Sequence, residues 1–180
     1  MFSKKYRTIT LATLEKAARG VSGARDVSRS DSAVRCTFLD RDGDIIGIQL
    51  VAVGETRARA TMAIAIPGNC LITAMIVCNL YNTSPDSHGT FAFAQTVDDG
   101  TAVAALETDL SASGGITLNN IRSQLQAFID RINKFEVVLI EGIRELGPDT
   151  EFIKGNFWTN LGAFLGGFLK GYAGSASINA

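Results

Sequence analysis

A chain of 180 residues, 46% of them hydrophobic and 19% charged, is long enough to bury the core of one ordinary domain and too apolar to stay disordered. Its 17 Lys and Arg against 18 Asp and Glu leave a formal charge of -1, without the basic excess that sequence-independent phosphate binding requires, so nucleic acid is not the expected partner. Three cysteines, Cys36, Cys70 and Cys78, are odd in number and embedded in apolar runs; they suit reduced, buried thiols better than a disulfide framework and point to a reducing, cytoplasmic compartment.

The first residues, Met1 through Arg7, are basic but break into Thr, Glu and Lys before any apolar run of signal-peptide length, so no export signal is read. Leu11, Leu14, Ala17 and Ala18 recur at helical spacing, and the run ends at Gly20 and a Ser/Gly/Arg-rich stretch to Asp31. Three β segments are expected next. Residues 33–39 and 44–51 flank Asp40-Arg41-Asp42-Gly43, where Asp-Gly offers the positive-φ chemistry of a tight hairpin turn. The third spans 57–66, with Ala58, Ala60, Met62, Ile64 and Ile66 on one face and Arg57, Arg59 and Thr61 on the other.

Pro67-Gly68-Asn69 interrupts the strand pattern, and Asn69 is placed to cap a helix of roughly 14 residues carrying Leu71, Ile72, Met75, Ile76 and Cys78. Pro85 and Gly89 close that region. A second hairpin follows, residues 90–97 and 101–110 joined at Asp98-Asp99-Gly100, with Phe91, Phe93 and Val97 on one face of its first strand and Leu106 and Leu110 sharing a face of the second. After Gly114-Gly115, Thr117 opens the most regular pattern in the chain: Leu118, Ile121, Leu125, Phe128, Ile132, Phe135 and Leu139 alternate steps of three and four. The pattern continues to Gly147-Pro148 and predicts a helix of about 30 residues. Such a stripe serves a coiled coil or a helix lying across a sheet, and sheet packing is the favoured reading.

The expected class is therefore α+β: a helix, three antiparallel strands, a helix, a two-stranded hairpin and a long C-terminal helix, packed on one twisted antiparallel sheet. Residues 1–148 form this domain and 149–180 a Gly/aromatic-rich extension.

Few residues suggest chemistry. Asp40, Asp42 and Asp44 with Gly43 have the oxygen density of a calcium loop, but the glycine is out of place and Val51 stands where a terminal Glu is needed, so a hairpin turn explains them better. Glu107 and Asp109 share a strand face without a nearby nucleophile or metal ligand and read as a solvated polar face. His88, the single histidine, lies in a turn without ligands at metal spacing. No nucleophile elbow, phosphate loop, dinucleotide fingerprint or Cys-x-x-Cys is present. The expectation is a protein without catalytic residues, cofactor or metal.

The extension carries Phe157, Trp158, Leu161, Phe164, Leu165, Phe168, Leu169 and Tyr172 at spacings of three and four, interleaved with glycines. Its uncharged run, 155–169, is 15 residues, short of the ~20 that span a bilayer. An aromatic patch of this kind needs cover. The extension either docks on its own domain or a second copy, or inserts into another protein or a membrane surface.

Asn79-Leu80-Tyr81-Asn82, Gln95-Thr96-Val97-Asp98-Asp99-Gly100, Leu106-Glu107-Thr108-Asp109-Leu110 and Gly114-Gly115-Ile116-Thr117 occur in that order, and through them the chain resembles the YbjN family of bacterial proteins over roughly residues 11–146. That family shows Asn-x-aromatic-Asn at the end of its middle helix, an acidic-Gly hairpin, a strand with acidic residues and Gly-Gly-hydrophobic-Thr leading into a long final helix. Two departures stand out: Tyr81 occupies a position where many members have Trp, and the extension is not part of the family core. The resemblance implies a fold similar to type III secretion chaperones, pairing of two copies, and a regulatory or chaperone-like role without an established catalytic site.

The structural motif residues are then Asn79, Tyr81, Asn82, Gly100, Gly114, Gly115 and Thr117, with the two asparagines tying a helix end to neighbouring backbone. The leading functional reading is a homodimeric, chaperone-like or regulatory adaptor that binds a polypeptide client through Phe91, Phe93 and the Arg57/Arg59 face. The alternative is a membrane-surface or assembly component working through Phe157, Trp158, Leu161, Phe164, Leu165 and Phe168.

Overall fold

The computed structural model describes residues 8–39, 43, 45–111 and 117–149. The first helix, α1 (Leu11–Ala18), starts where the Thr10 side chain accepts a hydrogen bond from the Thr13 N–H at 3.2 Å, and it buries Leu14, Ala17 and Ala18. A strand that the sequence pattern did not announce follows, β1 (Ala24–Arg29). Its sequence, ARDVSR, has one large apolar side chain and no period-two alternation. It is a strand because its backbone pairs with β2 (Val34–Leu39) at the sheet edge, where water solvates most of its side chains. Gly23 makes the approach possible: its φ is +78°, and a Cβ there would sit 2.6 Å from the Leu39 carbonyl oxygen.

β3 (Ile45–Ala52) and β4 (Arg57–Ile66) complete an antiparallel run in which Cys36 faces Ile48, Leu50 faces Ala60 and Ala52 faces Ala58. The hairpin β5 (Thr90–Thr96) and β6 (Ala102–Ser111) turns at Gly100, φ +84°, as Asp98-Asp99-Gly100 predicts. β6 then inserts beside β4, so the spatial order is β1-β2-β3-β4-β6-β5, with every neighbouring pair antiparallel. The expected α+β class and single sheet are what the structure shows, with one strand more before the second helix than the three expected. Asp40, Arg41, Asp42 and Asp44 lie outside the described residues, as do Gly114 and Gly115.

The second helix, α2 (Leu71–Asn82), has 12 residues and is entered through a single tight turn, Gly68–Cys70. Asn69 does not cap it. The Asp149 carboxylate, 76 and 77 positions away in sequence, accepts the Thr73 and Ile72 N–H groups at 3.0 and 3.1 Å, and the Thr73 hydroxyl donates to the Gly147 carbonyl at 2.9 Å. A helix start needs an acceptor for its free N–H groups, and a carboxylate supplies a stronger one than an amide.

The long helix α3 (Leu118–Leu146) has 29 residues and is capped by Thr117, whose hydroxyl accepts from Asn120 at 3.1 Å. Ile121, Leu125, Phe128, Ile132, Phe135 and Leu139, six members of the predicted stripe, are buried. The helix packs against β6 and contacts both α1 and α2, the sheet packing favoured over a coiled coil.

One cluster of buried residues unites all three helices with a single face of the sheet: Val34, Cys36 and Phe38 of β2, Ile46, Ile48 and Leu50 of β3, Ala58, Ala60 and Met62 of β4, and Ala104, Leu106 and Leu110 of β6. Cys36, Cys70 and Cys78 are free and buried. Burial pushes the Cys36 and Cys78 thiols up to about 12 by disfavouring the thiolate. Neither should therefore react with iodoacetamide in the native protein at mildly alkaline pH, while both should react once urea unfolds it. Peptide mass mapping checks this, and rapid labelling of Cys36 or Cys78 in the native state would contradict the packing.

Candidate functional site

Strand side chains alternate between faces, so the sheet has a second face whose composition follows from the one the helices cover. It receives Arg35 and Thr37 of β2, Gly47 and Gln49 of β3, Arg57, Arg59, Thr61 and Ala63 of β4, Glu107 and Asp109 of β6, and Phe91 and Phe93 of β5. No helix of the described residues packs on it. The four residues picked out as partner-binding candidates on the sheet, Arg57, Arg59, Phe91 and Phe93, thus share one surface although a helix separates the two pairs in sequence.

Three zones make up that surface. At the β5 edge, Phe91 and Phe93 stack with ring centroids 6.2 Å apart and an interplanar angle of 27°, and Phe91 is 58% exposed. Next comes a cross-strand ion-pair ladder. Arg59 reaches Asp109 directly opposite at 3.4 Å and Glu107 at 3.6 Å, Arg57 donates to Asp109, and the Thr61 hydroxyl donates to Glu107 at 3.1 Å. Hydrogen bonding from Arg57 holds the Asp109 carboxyl below the usual carboxylate range. Two guanidinium groups against two carboxylates leave this zone neutral. Being solvent-exposed, the pairs add little to stability, in the range of ~0–1 kcal/mol each. Beyond it, Gly47, Thr61 and Ala63 floor a depression of about 390 Å³ whose rim includes Arg35, Thr37 and Gln49. A second depression, about 360 Å³, lies among Arg59, Phe91, Glu107 and Asp109.

Sequence reading missed the depressions. The signal of the first was small residues in strand positions, Gly47 and Ala63, on the face opposite the core; at such positions a missing or short side chain leaves room for another surface to approach. A Cβ added at Gly47 would meet nothing within 4 Å.

Hydrogen-bonded to Arg57, Asp109 serves the ladder as an acceptor. Among the described residues no group of three or more His, Cys, Asp or Glu could hold a metal ion. His88 sits in the turn after a short 3-10 segment, between Ser87 and Gly89.

The edge strand β5 is finished by the helix beside it. Asn82, the last residue of α2, donates from Nδ2 to the Ala92 carbonyl at 2.8 Å and accepts the Ala92 N–H on Oδ1 at 2.7 Å. A side-chain amide here takes the place of a neighbouring strand. Because both Ala92 groups point away from β6, the backbone groups of Ala94 and Thr96, two and four residues along, point outward as well. At the other edge the Arg19 guanidinium similarly donates to the Val27 carbonyl at 2.9 Å.

Comparison with solved structures finds the same architecture elsewhere. YbjN of E. coli, described as a candidate transcription regulator, superimposes with a TM-score of 0.57 at 13% identity, covering 78% of this chain and 96% of that one. The chain has a YbjN-like fold. An uncharacterized protein from Methanothermobacter thermautotrophicus aligns with a TM-score of 0.49 at 8% identity over 74% of this chain and 98% of its own. No protein-family profile matches the sequence, and no curated protein does.

Within this YbjN-like fold the motif residues have distinct places. Tyr81 is fully buried against Phe135, ring centroids 5.1 Å apart and edge-on, with its hydroxyl donating to the Asp86 carbonyl at 3.2 Å. Asn82 closes the β5 edge, whereas Asn79 is exposed on α2. Gly100 makes the hairpin turn and Thr117 caps α3. Phe157, Trp158, Leu161, Phe164, Leu165 and Phe168 lie outside the described residues. Among the described residues no helix is long and apolar enough to cross a membrane.

Proposed function

We propose that this chain is a chaperone-like or regulatory adaptor that works as a homodimer and binds an extended or helical segment of a polypeptide client on the open face of its sheet. The observation that supports it most is the exposed Phe91–Phe93 stack beside a charge-balanced ladder of donors and acceptors. Aromatic and Arg side chains are the residue types enriched among those that carry most protein-binding energy. A neutral ladder offers hydrogen bonds to a peptide without the cationic surplus that a phosphate backbone demands.

The size of the surface agrees. A face six strands wide with central strands of 10 residues covers roughly 800 Å² at ~4.8 Å between strands and ~3.3 Å per residue, the area each partner contributes to a standard interface. The outward backbone of Ala94 and Thr96 adds an edge on which an extended segment can pair.

A photoreactive amino acid at position 91 should crosslink the bound polypeptide, which is then purified and titrated calorimetrically against the unmodified chain. Phe91→Ser with Phe93→Ser should weaken that binding by at least about tenfold, the loss of two aromatic anchors, and Phe91→Ser alone should leave the thermal midpoint of the free protein nearly unchanged because Phe91 is exposed. Unchanged affinity in the double variant would remove the sheet face from the reading, and a chain that binds no polypeptide would end it.

A further inference from the structure

The helix α2 is apolar over most of its circumference, with Asn79 its exposed polar residue. Its sequence, LITAMIVCNLYN, contains no charged residue. One side buries Thr73, Ala74, Val77, Cys78 and Tyr81, yet Ile72 and Met75 remain 41% and 46% exposed, with Ile76 half-buried next to them. A helix this apolar is ordinarily covered on more than one side. Solvent-facing helix positions more often carry Lys, Glu or Gln, and α3 has Lys134, Glu141 and Arg144 there alongside the exposed Val137 and Ile140.

The chain itself delivers a cover to this place. Asp149 is clamped to the N–H groups of Ile72 and Thr73, and Gly147 to the Thr73 hydroxyl, so whatever follows residue 149 starts beside Ile72. Seven residues, 150–156, separate that point from Phe157, a reach of at most about 25 Å. The large apolar side chains of 157–172 recur at three and four. At 1.5 Å per residue a helix of that length extends about 24 Å, enough to run the about 18 Å of α2. The segment has one charged residue, Lys170, and so brings no charge to be desolvated against Ile72 and Met75.

We propose that residues 157–172 dock within the same chain on the outer face of α2, over Ile72 and Met75. The open sheet face on the opposite side of the molecule stays free for a partner, and the Asp149 clamp fixes where the docked segment begins.

Trp158 is the only tryptophan in the chain and reports on this directly. In the full-length protein its emission should be blue-shifted relative to the urea-unfolded chain and independent of protein concentration. Ile72→Glu with Met75→Glu should move it to the unfolded wavelength while the far-ultraviolet circular dichroism of the domain persists. A photoreactive residue at position 75 in the otherwise unaltered chain should crosslink to peptides from 157–172 of the same chain, a result that does not depend on the charged variant folding. Emission that ignores the double substitution overturns the proposal. So does a blue shift lost on dilution together with dimer dissociation, which places the segment on a second copy, or one that appears only with anionic phospholipid vesicles, which places it on a membrane surface.

Discussion

Replacing Tyr81 by Ala should destabilise the protein by about 3–5 kcal/mol, the range for removing a fully buried aromatic side chain, and urea denaturation of the two forms measures it. The effect is large because Tyr81 is among the largest side chains with no exposed surface and touches Phe135 of α3, so its ring joins the middle helix to the long one. Two further substitutions separate the contributions. Tyr81→Phe keeps the ring and removes only the hydroxyl bond to the Asp86 carbonyl, a loss of about 1 kcal/mol. Tyr81→Trp, the residue typical at this position in the family the sequence resembles, should cost about 1–3 kcal/mol, because a fully enclosed site does not accept a bulkier ring without displacement. A Trp variant as stable as the parent would mean that the space around Phe135 is looser than the contact implies.

The second large effect is expected at Asn82. Its amide satisfies both backbone groups of Ala92, a residue 1% exposed. Asn82→Ala leaves a buried N–H and a buried carbonyl without partners, for a loss of about 2–6 kcal/mol at ~1–3 kcal/mol per orphaned group. Asn82→Asp tests the geometry more closely. A carboxylate still accepts the Ala92 N–H but cannot donate to the carbonyl and repels it, so this near-isosteric change should also destabilise. If Asp were tolerated while Ala was not, the bond to the carbonyl would contribute nothing. Removing the amide also bares a strand edge, and the Ala variant should self-associate more than the parent on size-exclusion chromatography with light scattering.

These two residues show why the middle of the chain is organised as it is. α2 ends with an aromatic side chain turned into the core and an amide turned onto the β5 edge, so one helical turn fastens both the helix layer and the sheet. The hairpin thus held presents Phe91 and Phe93 on the opposite face, and the pairing of β4 with β6 brings Arg57 and Arg59 against Glu107 and Asp109 beside them. The proposed binding surface depends on the same residues that stabilise the fold, although none of those residues lies on it.

Much of this was legible in the amino-acid order because it rests on short-range physics. The strand at residues 57–66 was bounded correctly, since Arg and Thr alternate with Ala at its start, larger apolar residues alternate with Ala at its end, and Pro67 stops it. The long helix was placed to within a residue or two, because its three-and-four spacing is long and Thr117 and Gly147 punctuate it. The hairpin turn at Gly100 and the buried thiols followed from equally local chemistry.

What the sequence did not disclose depends on partners distant along the chain. β1 carries no alternation of its own and exists because β2 offers it a ladder. Asn69 stood where a cap is normally found, but Asp149 arrives there through the packing of α3 and supplies charge as well as geometry. Phe91 and Phe93 share a strand face by alternation and stand as partner contacts in the sequence, but only the placement of the helices of the described residues on the other side leaves that face open. Periodicity tells which residues share a face; which face is covered is decided by where the helices fall, and that is a property of the assembled sheet.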